Sequence, residues 1–146
     1  MMTFNYVLNK IKNPDDIKDI KEAYEYANSK LSGVMRKNGD TEISHCLEVA
    51  NILIDLNVDK ETIICAILHS VLDFNDIDEK EIVERFSLET YKIIFSLSKI
   101  NNLEMVDDSE SAALYLRKVM VGLSEDVRVL FIKLADRLHN MRTFDA

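Results

Sequence analysis

The stretch that most constrains the fold lies near the C-terminus and reads Ile132-Lys133-Leu134-Ala135-Asp136-Arg137-Leu138-His139-Asn140-Met141-Arg142-Thr143. Its apolar residues recur at helical spacing, so it predicts an amphipathic helix. One carboxylate, Asp136, stands inside this apolar pattern. Because an ionised aspartate is costly to bury alone, Asp136 needs a counter-charge, and a metal ion is one such partner. The alternative is a local ion pair with Lys133 or Arg137.

Two neighbouring stripes of side chains are predicted on this helix. The stripe expected to pack against the core consists of Val127, Leu130, Leu134, Leu138 and Met141. The adjacent stripe consists of Ile132, Asp136, Asn140 and Thr143. This second stripe would place a metal-binding carboxylate beside amide and hydroxyl groups that can hydrogen-bond a ligand.

The rest of the chain also predicts helices. Its 146 residues include three glycines and one proline, which favours long helices with short connections over a turn-rich β fold. Polar connections are predicted at 36–40, 74–78 and 101–108. The helices between them are predicted at about 15–34, from Thr41 to Ile54, from Asp59 to Ser70, from Asp78 to Arg85, from Ser87 to Leu97, and from Ser109 or Glu110 to Val121. We expect an all-α, single-domain helical bundle over residues 1–146.

The composition argues against several classes of protein. A net charge of −8 argues against general binding of DNA or RNA, which requires a basic surface. Residues 111–146 nevertheless hold six basic and four acidic residues, so a small anionic ligand could bind near this segment. Neither a secretory signal nor a membrane span is recognisable, and Cys46 and Cys65 lie in apolar helical runs typical of buried reduced thiols. These features predict a cytoplasmic protein.

Two histidines join Asp136 as candidate metal ligands. His45 and His69 each lie in an apolar segment of a different predicted helix, and each alone is typical of a buried structural histidine. Together with Asp136 they come from three helices, and helical bundles build metal sites between facing helices. Ser70 stands next to His69, where a fourth ligand would be expected. The motifs HExxH and CxxC are missing from the sequence, which argues against a zinc protease or a zinc finger.

Three stretches resemble the HD-type hydrolase domain of the RelA/SpoT family. Residues 36–50, RKNGDTEISHCLEVA, are similar to the family motif RKSGEPYIxHxxxVA. Residues 65–74, CAILHSVLDF, are similar to the family motif AALLHDxxED. Residues 126–143 match the family almost throughout, and the similarity extends over about residues 20–143.

The resemblance implies a domain that uses Mn²⁺ to remove the 3′-pyrophosphate from the guanine nucleotide alarmone (p)ppGpp. It also implies roles for individual residues, while His139 falls on a position that is not a ligand. The implied metal ligands are His45, His69 and Asp136, and the implied nucleotide contacts are Arg36, Lys37, Asn140 and Thr143.

Three departures from the family bear on the expected chemistry. Ser70 replaces the metal-binding aspartate, and a neutral hydroxyl is a poor ligand for a hard divalent cation. Asp73 and Phe74 replace a Glu-Asp pair that positions and activates the attacking water, so Asp73 is a degenerate catalytic candidate and Phe74 transfers no proton. Family members also usually continue beyond the position of Ala146 with further helices, so we expect a chain that is naturally short or trimmed.

Three hypotheses of function remain open. The first is an alarmone-hydrolase-family domain with weak or absent activity that retains binding of the guanine nucleotide. The second is an active hydrolase with an altered metal site. The third is a non-enzymatic regulatory or interaction module with a vestigial pocket, whose acidic N-terminal two-thirds would face a partner. The sequence favours the first, and it leaves a homo-oligomer open.

Overall fold

The structure, a computed structural model, describes residues 2–103 and 126–144, except the side chains of 100–103 and 144. The helix predicted from Ser109 or Glu110 to Val121 lies outside these residues. The helices are α1 (Phe4–Asn9), α2 (Pro14–Lys30), α3 (Glu42–Ile54), α4 (Lys60–Leu68), α5 (Val71–Phe74), α6 (Glu79–Arg85), α7 (Leu88–Leu103) and α8 (Val127–Phe144). Over the described ranges the chain contains no strand beyond one isolated bridge between Met35 and Thr41. The predicted all-α fold is confirmed.

The predicted helix starts are confirmed where a polar side chain caps the first turn. The side-chain oxygens of Asn13, Thr41 and Asp59 accept backbone N–H groups at the starts of α2, α3 and α4. Ser87 accepts the N–H of Thr90 at the start of α7 in the same way. Each cap satisfies a backbone donor that would otherwise have no partner within its helix, so these starts are encoded locally.

Helix α4 lies at the centre of the bundle. Each residue from Thr62 to Ser70 is buried, and the helix contacts α2, α3, α7 and α8. A helix that is apolar on all sides must be surrounded by other helices, and the run Ile63–Leu68 meets that condition. His69 and Ser70 follow directly from this helix, so its C-terminal end delivers both side chains to the interior.

Three helix ends differ from the prediction, and one helix was missed. Helix α2 ends at Lys30 rather than near 34, and a turn with Gly33 at φ +79° follows it. The helix predicted to run from Asp59 to Ser70 ends at Leu68 instead, and α5 begins two residues after His69. Helix α7 continues to Leu103 through the start of the predicted polar connection, and α1 was not predicted at all. The missed helix α1 is itself capped by Thr3, whose side chain accepts the backbone N–H of Tyr6.

Helix α8 faces the core with a different side from the one predicted. Its buried residues are Val129, Ile132, Lys133, Ala135, Asp136 and His139. Four of the five residues predicted to pack on the core are exposed, namely Val127, Leu134, Leu138 and Met141. The fifth, Leu130, is half-buried. The predicted core stripe is therefore wrong, because the side that carries Asp136 and His139 is the one turned towards α3 and α4.

This orientation predicts unequal effects of two truncations on the same helix. Ile132 is 0% exposed and Leu134 is 56% exposed. Ile132→Ala should lower the free energy of unfolding by about 2–5 kcal/mol, because it leaves a cavity in the core. Leu134→Ala should change it by less than about 0.5 kcal/mol. Urea unfolding of both variants measures the difference, and equal losses would contradict the observed orientation of α8.

Arg128 anchors the N-terminal end of α8. Its backbone N–H and its guanidinium donate to the side chain of Asp126 just before the helix. The guanidinium also contacts Asp59 at 3.4 Å and forms an ion pair with Glu89. The hydrogen bond with Arg128 lowers the pKa of the Asp126 carboxyl, as expected for a paired carboxylate. Arg128 thus ties α8 to the starts of α4 and α7, which helps to place Asp136 in the bundle.

None of the described helices is long and apolar enough to cross a membrane.

Candidate metal and nucleotide site

The three predicted metal ligands meet in the interior of the bundle. His45 lies on α3, His69 follows the last residue of α4, and Asp136 lies on α8. One ligand atom from each lies within 4.8 Å of the other two, and all three residues are buried. His45 Nε2 is 2.6 Å from Asp136 Oδ1, and His69 Nε2 is 3.5 Å from the same oxygen. The structure thus brings together residues that are 91 positions apart in the chain.

The far nitrogens of the two imidazoles have partners that orient the rings. His69 Nδ1 is 2.6 Å from the carbonyl oxygen of Ala66, so we assign the proton to Nδ1 and direct Nε2 to the cluster. His45 Nδ1 is 2.7 Å from Nδ1 of His139, and one of these two nitrogens donates to the other. Such outer hydrogen bonds fix the tautomer and direction of metal-binding histidines. His139 is therefore a positioning residue, although it is not a candidate ligand.

The charges of Asp136 and His45 suit cation binding. Burial opposes ionisation of Asp136, but hydrogen bonds with His45 and His69 hold the pKa of its carboxyl well below the usual range. Burial lowers the pKa of His45 to about 4, against the raising effect of its hydrogen bond with Asp136. At neutral pH Asp136 is therefore an anion and His45 is uncharged, as metal ligation requires.

His69 balances the charge of Asp136. Burial lowers the pKa of His69, but contacts with Cys46 and Asp136 outweigh burial and raise it above its ordinary value. A cation bound by the His69 imidazole would displace its proton.

The local ion pair that was the alternative explanation for Asp136 also forms. Lys133 is buried one turn before Asp136, and its Nζ donates to Asp136 Oδ2 at 3.3 Å. The two oxygens of the Asp136 carboxylate therefore have different partners. Oδ2 faces Lys133, and Oδ1 faces the two histidines. Because Oδ1 still faces both imidazoles, the pair with Lys133 accompanies the candidate metal cluster and does not replace it.

A second set of polar side chains adjoins the cluster and includes two predicted nucleotide contacts. Ser70, which is buried, donates to Glu42 Oε1 at 3.3 Å. Glu42 in turn pairs with Arg36, whose Nη1 is 2.9 Å from Glu42 Oε2. Nη2 of the same guanidinium donates to Asn140 Oδ1 at 2.5 Å. The structure therefore places Arg36 and Asn140 in direct contact, and Glu42 links Arg36 to Ser70, the residue after His69.

A tight turn holds Arg36 in this position. The backbone N–H of Arg36 donates to the carbonyl of Asp40, and the N–H of Gly39 donates to the carbonyl of Arg36. Gly39 has φ +94°, a left-handed conformation that glycine adopts without strain. The bridge between Met35 and Thr41 closes the turn directly before α3 begins. The predicted polar connection at 36–40 is therefore an ordered turn.

The remaining predicted site residues contact other groups. Lys37 is exposed on the turn, and the hydroxyl of Thr143 donates to the carbonyls of His139 and Asn140 in its own helix. Asp73 is exposed at the end of α5 and accepts a hydrogen bond from Ser98 at 2.8 Å. The predicted roles of Lys37, Thr143 and Asp73 stay predictions.

Sequence reasoning missed Glu42 and set His139 aside. Glu42 stands three residues before His45 on the same helix, and Glu-x-x-His is a spacing that directs both side chains to one metal site in helical bundles. That spacing was the available signal. His139 carried no comparable signal, because its contact with His45 joins residues 94 positions apart.

A family model described as HD domain matches residues 23–146. The GTP pyrophosphokinase rsh of Brucella ovis is 44% identical over 124 residues, which cover 85% of this chain and 16% of the relative. The bifunctional (p)ppGpp synthase/hydrolase SpoT of Escherichia coli K12 and the guanosine-3′,5′-bis(diphosphate) 3′-pyrophosphohydrolase of E. coli O157:H7 are each 33% identical over 141 residues, covering 97% of this chain and 20% of the relative.

The chain spans about a fifth or less of the length of these relatives. Within that part, the family model and the relatives cover the turn of Arg36, both histidines and Asp136. The chain belongs to the HD domain family and is an HD domain of the RelA/SpoT type.

Proposed function

We propose that this domain binds the alarmone guanosine 3′,5′-bis(diphosphate) together with a divalent cation, and hydrolyses it slowly or not at all. The observation that carries the proposal is the contact between Arg36 and Asn140 beside the cluster of His45, His69 and Asp136. The site retains the residues that we propose bind the nucleotide and the cation. Ser70 and Phe74 replace carboxylates that the family resemblance assigns to metal binding and catalysis. The names of the relatives supply the substrate class.

The donor set fits a divalent transition-metal ion. Two neutral or deprotonatable imidazoles and one carboxylate suit Mn²⁺, Fe²⁺ or Zn²⁺ better than Mg²⁺ or Ca²⁺, which prefer oxygen ligands. Their ligand atoms lie within 4.8 Å of one another, which is close enough for one ion. His45, His69 and Asp136 would hold the ion, and Mn²⁺ is our choice from the family resemblance. When bound, such an ion lowers the pKa of a water and polarises a phosphoryl oxygen.

Arg36 and Asn140 are suited to the nucleotide. A guanidinium can stack on a base or bind phosphate oxygens through two N–H groups, and an amide can both donate and accept. The Arg36 side chain is partly exposed and is already held by Glu42 and Asn140, so little side-chain entropy remains to be lost on binding. The Arg36 guanidinium is therefore pre-organised for binding a ligand.

Slow hydrolysis follows from the missing carboxylates. The loss of one general acid–base group removes about 10²–10⁴ in rate. Phe74 has no ionisable group that could transfer a proton, and its side chain is half-exposed at the end of α5. Asp73 is hydrogen-bonded to Ser98. Binding of the alarmone without rapid turnover would suit a nucleotide sensor. Its location in the cytoplasm stays a prediction.

Calorimetry with guanosine 3′,5′-bis(diphosphate) in the presence of Mn²⁺ tests the proposal. We expect saturable binding by the unaltered protein. Arg36→Ala should weaken binding by about 10–100-fold, because it removes charge-assisted hydrogen bonds worth about 1.5–3 kcal/mol. Arg142→Ala is the matched control, since it removes an exposed positive charge from α8 near Asn140 and should change affinity by less than about threefold.

Absence of heat and of a thermal shift at millimolar nucleotide would contradict alarmone binding. That result would favour the regulatory or interaction module with a vestigial pocket.

A further inference from the structure

We propose that Glu42 supplies the second carboxylate of the metal site, in place of the carboxylate that Ser70 does not provide. This inference rests on the proposed cation site of His45, His69 and Asp136. It assigns to Glu42 a ligand role towards the cation.

The position of Glu42 is the first reason. Glu42 begins α3 and stands three residues before His45, so both side chains lie on the same side of the helix. Its side chain is 8% exposed, and Oε1 is 3.3 Å from the hydroxyl of Ser70. Ser70 is itself buried and directly follows His69. The Glu42 carboxylate therefore contacts the side chain that directly follows the candidate ligand His69.

The second reason is a paired departure from the family motifs. The motif RKSGEPYIxHxxxVA has tyrosine at the position of Glu42, and the motif AALLHDxxED has aspartate at the position of Ser70. In this chain the carboxylate is lost at 70 and gained at 42, and the two side chains touch. The carboxylate at position 42 thus contacts the residue at which the family motif has one.

Charge is the third reason. A divalent cation held by two neutral imidazoles would carry more charge than the Asp136 carboxylate can offset, because that carboxylate also faces the buried Lys133 ammonium. Buried charges that lack a counter-charge are costly. A second carboxylate from Glu42 would offset part of this positive charge, which a serine hydroxyl at position 70 does not do.

Arg36 does not prevent Glu42 from acting as a ligand. The closer oxygen to Arg36 is Oε2 at 2.9 Å, whereas Oε1 is 3.3 Å from both the guanidinium and Ser70. An ionised carboxylate has about four acceptor positions, so one oxygen can keep Arg36 while the other binds a cation. The alternative role for Glu42 is only to hold Arg36 for the nucleotide, and the two roles predict different effects on Mn²⁺ affinity.

The test is Mn²⁺ titration without nucleotide, followed by calorimetry and by the electron paramagnetic resonance signal of free Mn²⁺. Glu42→Gln should lower Mn²⁺ affinity by more than about 10-fold, since even outer-shell losses reduce metal affinity by about 10–100-fold. The matched control is Glu48→Gln, which removes a partly buried carboxylate from the same helix and should change affinity by less than about threefold. Arg36→Ala should leave Mn²⁺ affinity unchanged or higher.

A second variant distinguishes the loss of a metal ligand from a loss of folding in Glu42→Gln. The double variant Glu42→Gln/Ser70→Asp returns a carboxylate to position 70 and should recover Mn²⁺ affinity to within about tenfold of the unaltered protein. Circular dichroism and the unfolding temperature without metal establish that each variant is folded.

Three results would overturn the inference, and they are distinguishable. If Glu42→Gln keeps full Mn²⁺ affinity while His45→Ala loses it, the cation site stands and the ligand role of Glu42 is wrong. Equal losses in Arg36→Ala and Glu42→Gln would also reject that role, because Glu42 would then act through Arg36. If the unaltered protein binds no Mn²⁺, the proposed cation site fails together with the inference.

Discussion

Asp136→Asn is expected to abolish measurable Mn²⁺ binding, with affinity lowered by at least about 100-fold. Asparagine keeps the size and shape of the side chain and removes its charge. Asp136 Oδ1 is the atom that both histidines face, at 2.6 Å from His45 and 3.5 Å from His69. A neutral amide is a poorer ligand for a divalent cation than a carboxylate, and it cannot offset the charge of the ion.

The same substitution should also destabilise the fold. The Asp136 anion faces the ammonium of Lys133 and the imidazoles of both histidines, in surroundings that exclude water. Loss of hydrogen bonds to a buried charged group costs about 1–3 kcal/mol. We expect the free energy of unfolding in urea to fall by about that amount, in the absence of metal.

Lys133→Met separates the two effects. Methionine retains most of the buried chain of Lys133 while removing the charge that faces Asp136 Oδ2. Oδ1 and both imidazoles remain, so Lys133→Met should keep Mn²⁺ affinity within about tenfold of the unaltered protein. If Asp136→Asn bound Mn²⁺ as tightly as the unaltered protein, Asp136 would be only a structural partner of Lys133 and the histidines. Its proposed role as a metal ligand would then be rejected.

The parts of the fold that could be predicted are those with a local cause. Asn13, Thr41 and Asp59 cap their helices through hydrogen bonds to residues two or three positions later, so the sequence window contains the whole interaction. The end of α7 has no such signal. It continues to Leu103 through two asparagines that pattern reasoning assigned to a connection.

The orientation of α8 shows where periodicity is insufficient. The helix carries two apolar stripes, and the more regular one, with Leu134 and Leu138, is exposed. The buried side is interrupted by Lys133, Asp136 and His139, which pattern reasoning penalises as core positions. These polar groups are buried because they satisfy one another and His45 across the bundle, and that compensation is visible only in three dimensions.

The candidate site was predictable where one motif contained the information. His45, His69 and Asp136 were singled out from their apolar helical surroundings and from separate family motifs, and the structure places them together. The contact between Glu42 and Ser70 joins residues 28 positions apart in two different motifs. The departure at Ser70 was therefore recognised from its own motif, whereas Glu42 and its contact with Ser70 were not.

Phe74→Asp is expected to raise the rate of pyrophosphate release from guanosine 3′,5′-bis(diphosphate) by about 100-fold or more. The variant returns a carboxylate to the second position of the family's Glu-Asp pair, directly after Asp73. If Glu42 serves as the metal carboxylate, a proton-transferring group at position 74 is the main component still missing from the site. The substitution therefore tests whether the low activity that we propose arises from general acid–base chemistry.

The exposure of Phe74 makes the experiment practicable. The side chain is 52% exposed at the last residue of α5, so its replacement leaves no large core cavity. Exposed substitutions of this kind usually change stability by less than about 0.5 kcal/mol. A change in rate can therefore be attributed to the new carboxylate once circular dichroism shows an unchanged helical content.

Phe74→Asn is the matched control. Asparagine is as large as aspartate and is also polar, but its amide does not act as a general acid or base. Rates are measured by separating nucleotide products after incubation with Mn²⁺, and His69→Ala added to Phe74→Asp should eliminate the gain if hydrolysis occurs at this cluster. Equal rates for Phe74→Asp and Phe74→Asn would show that a carboxylate at position 74 is not the limiting component. The low rate of hydrolysis would then be attributed to metal binding at Ser70 and Glu42. These two contacting residues are the departures from the family motifs that lie close to His69 and His45 in the sequence.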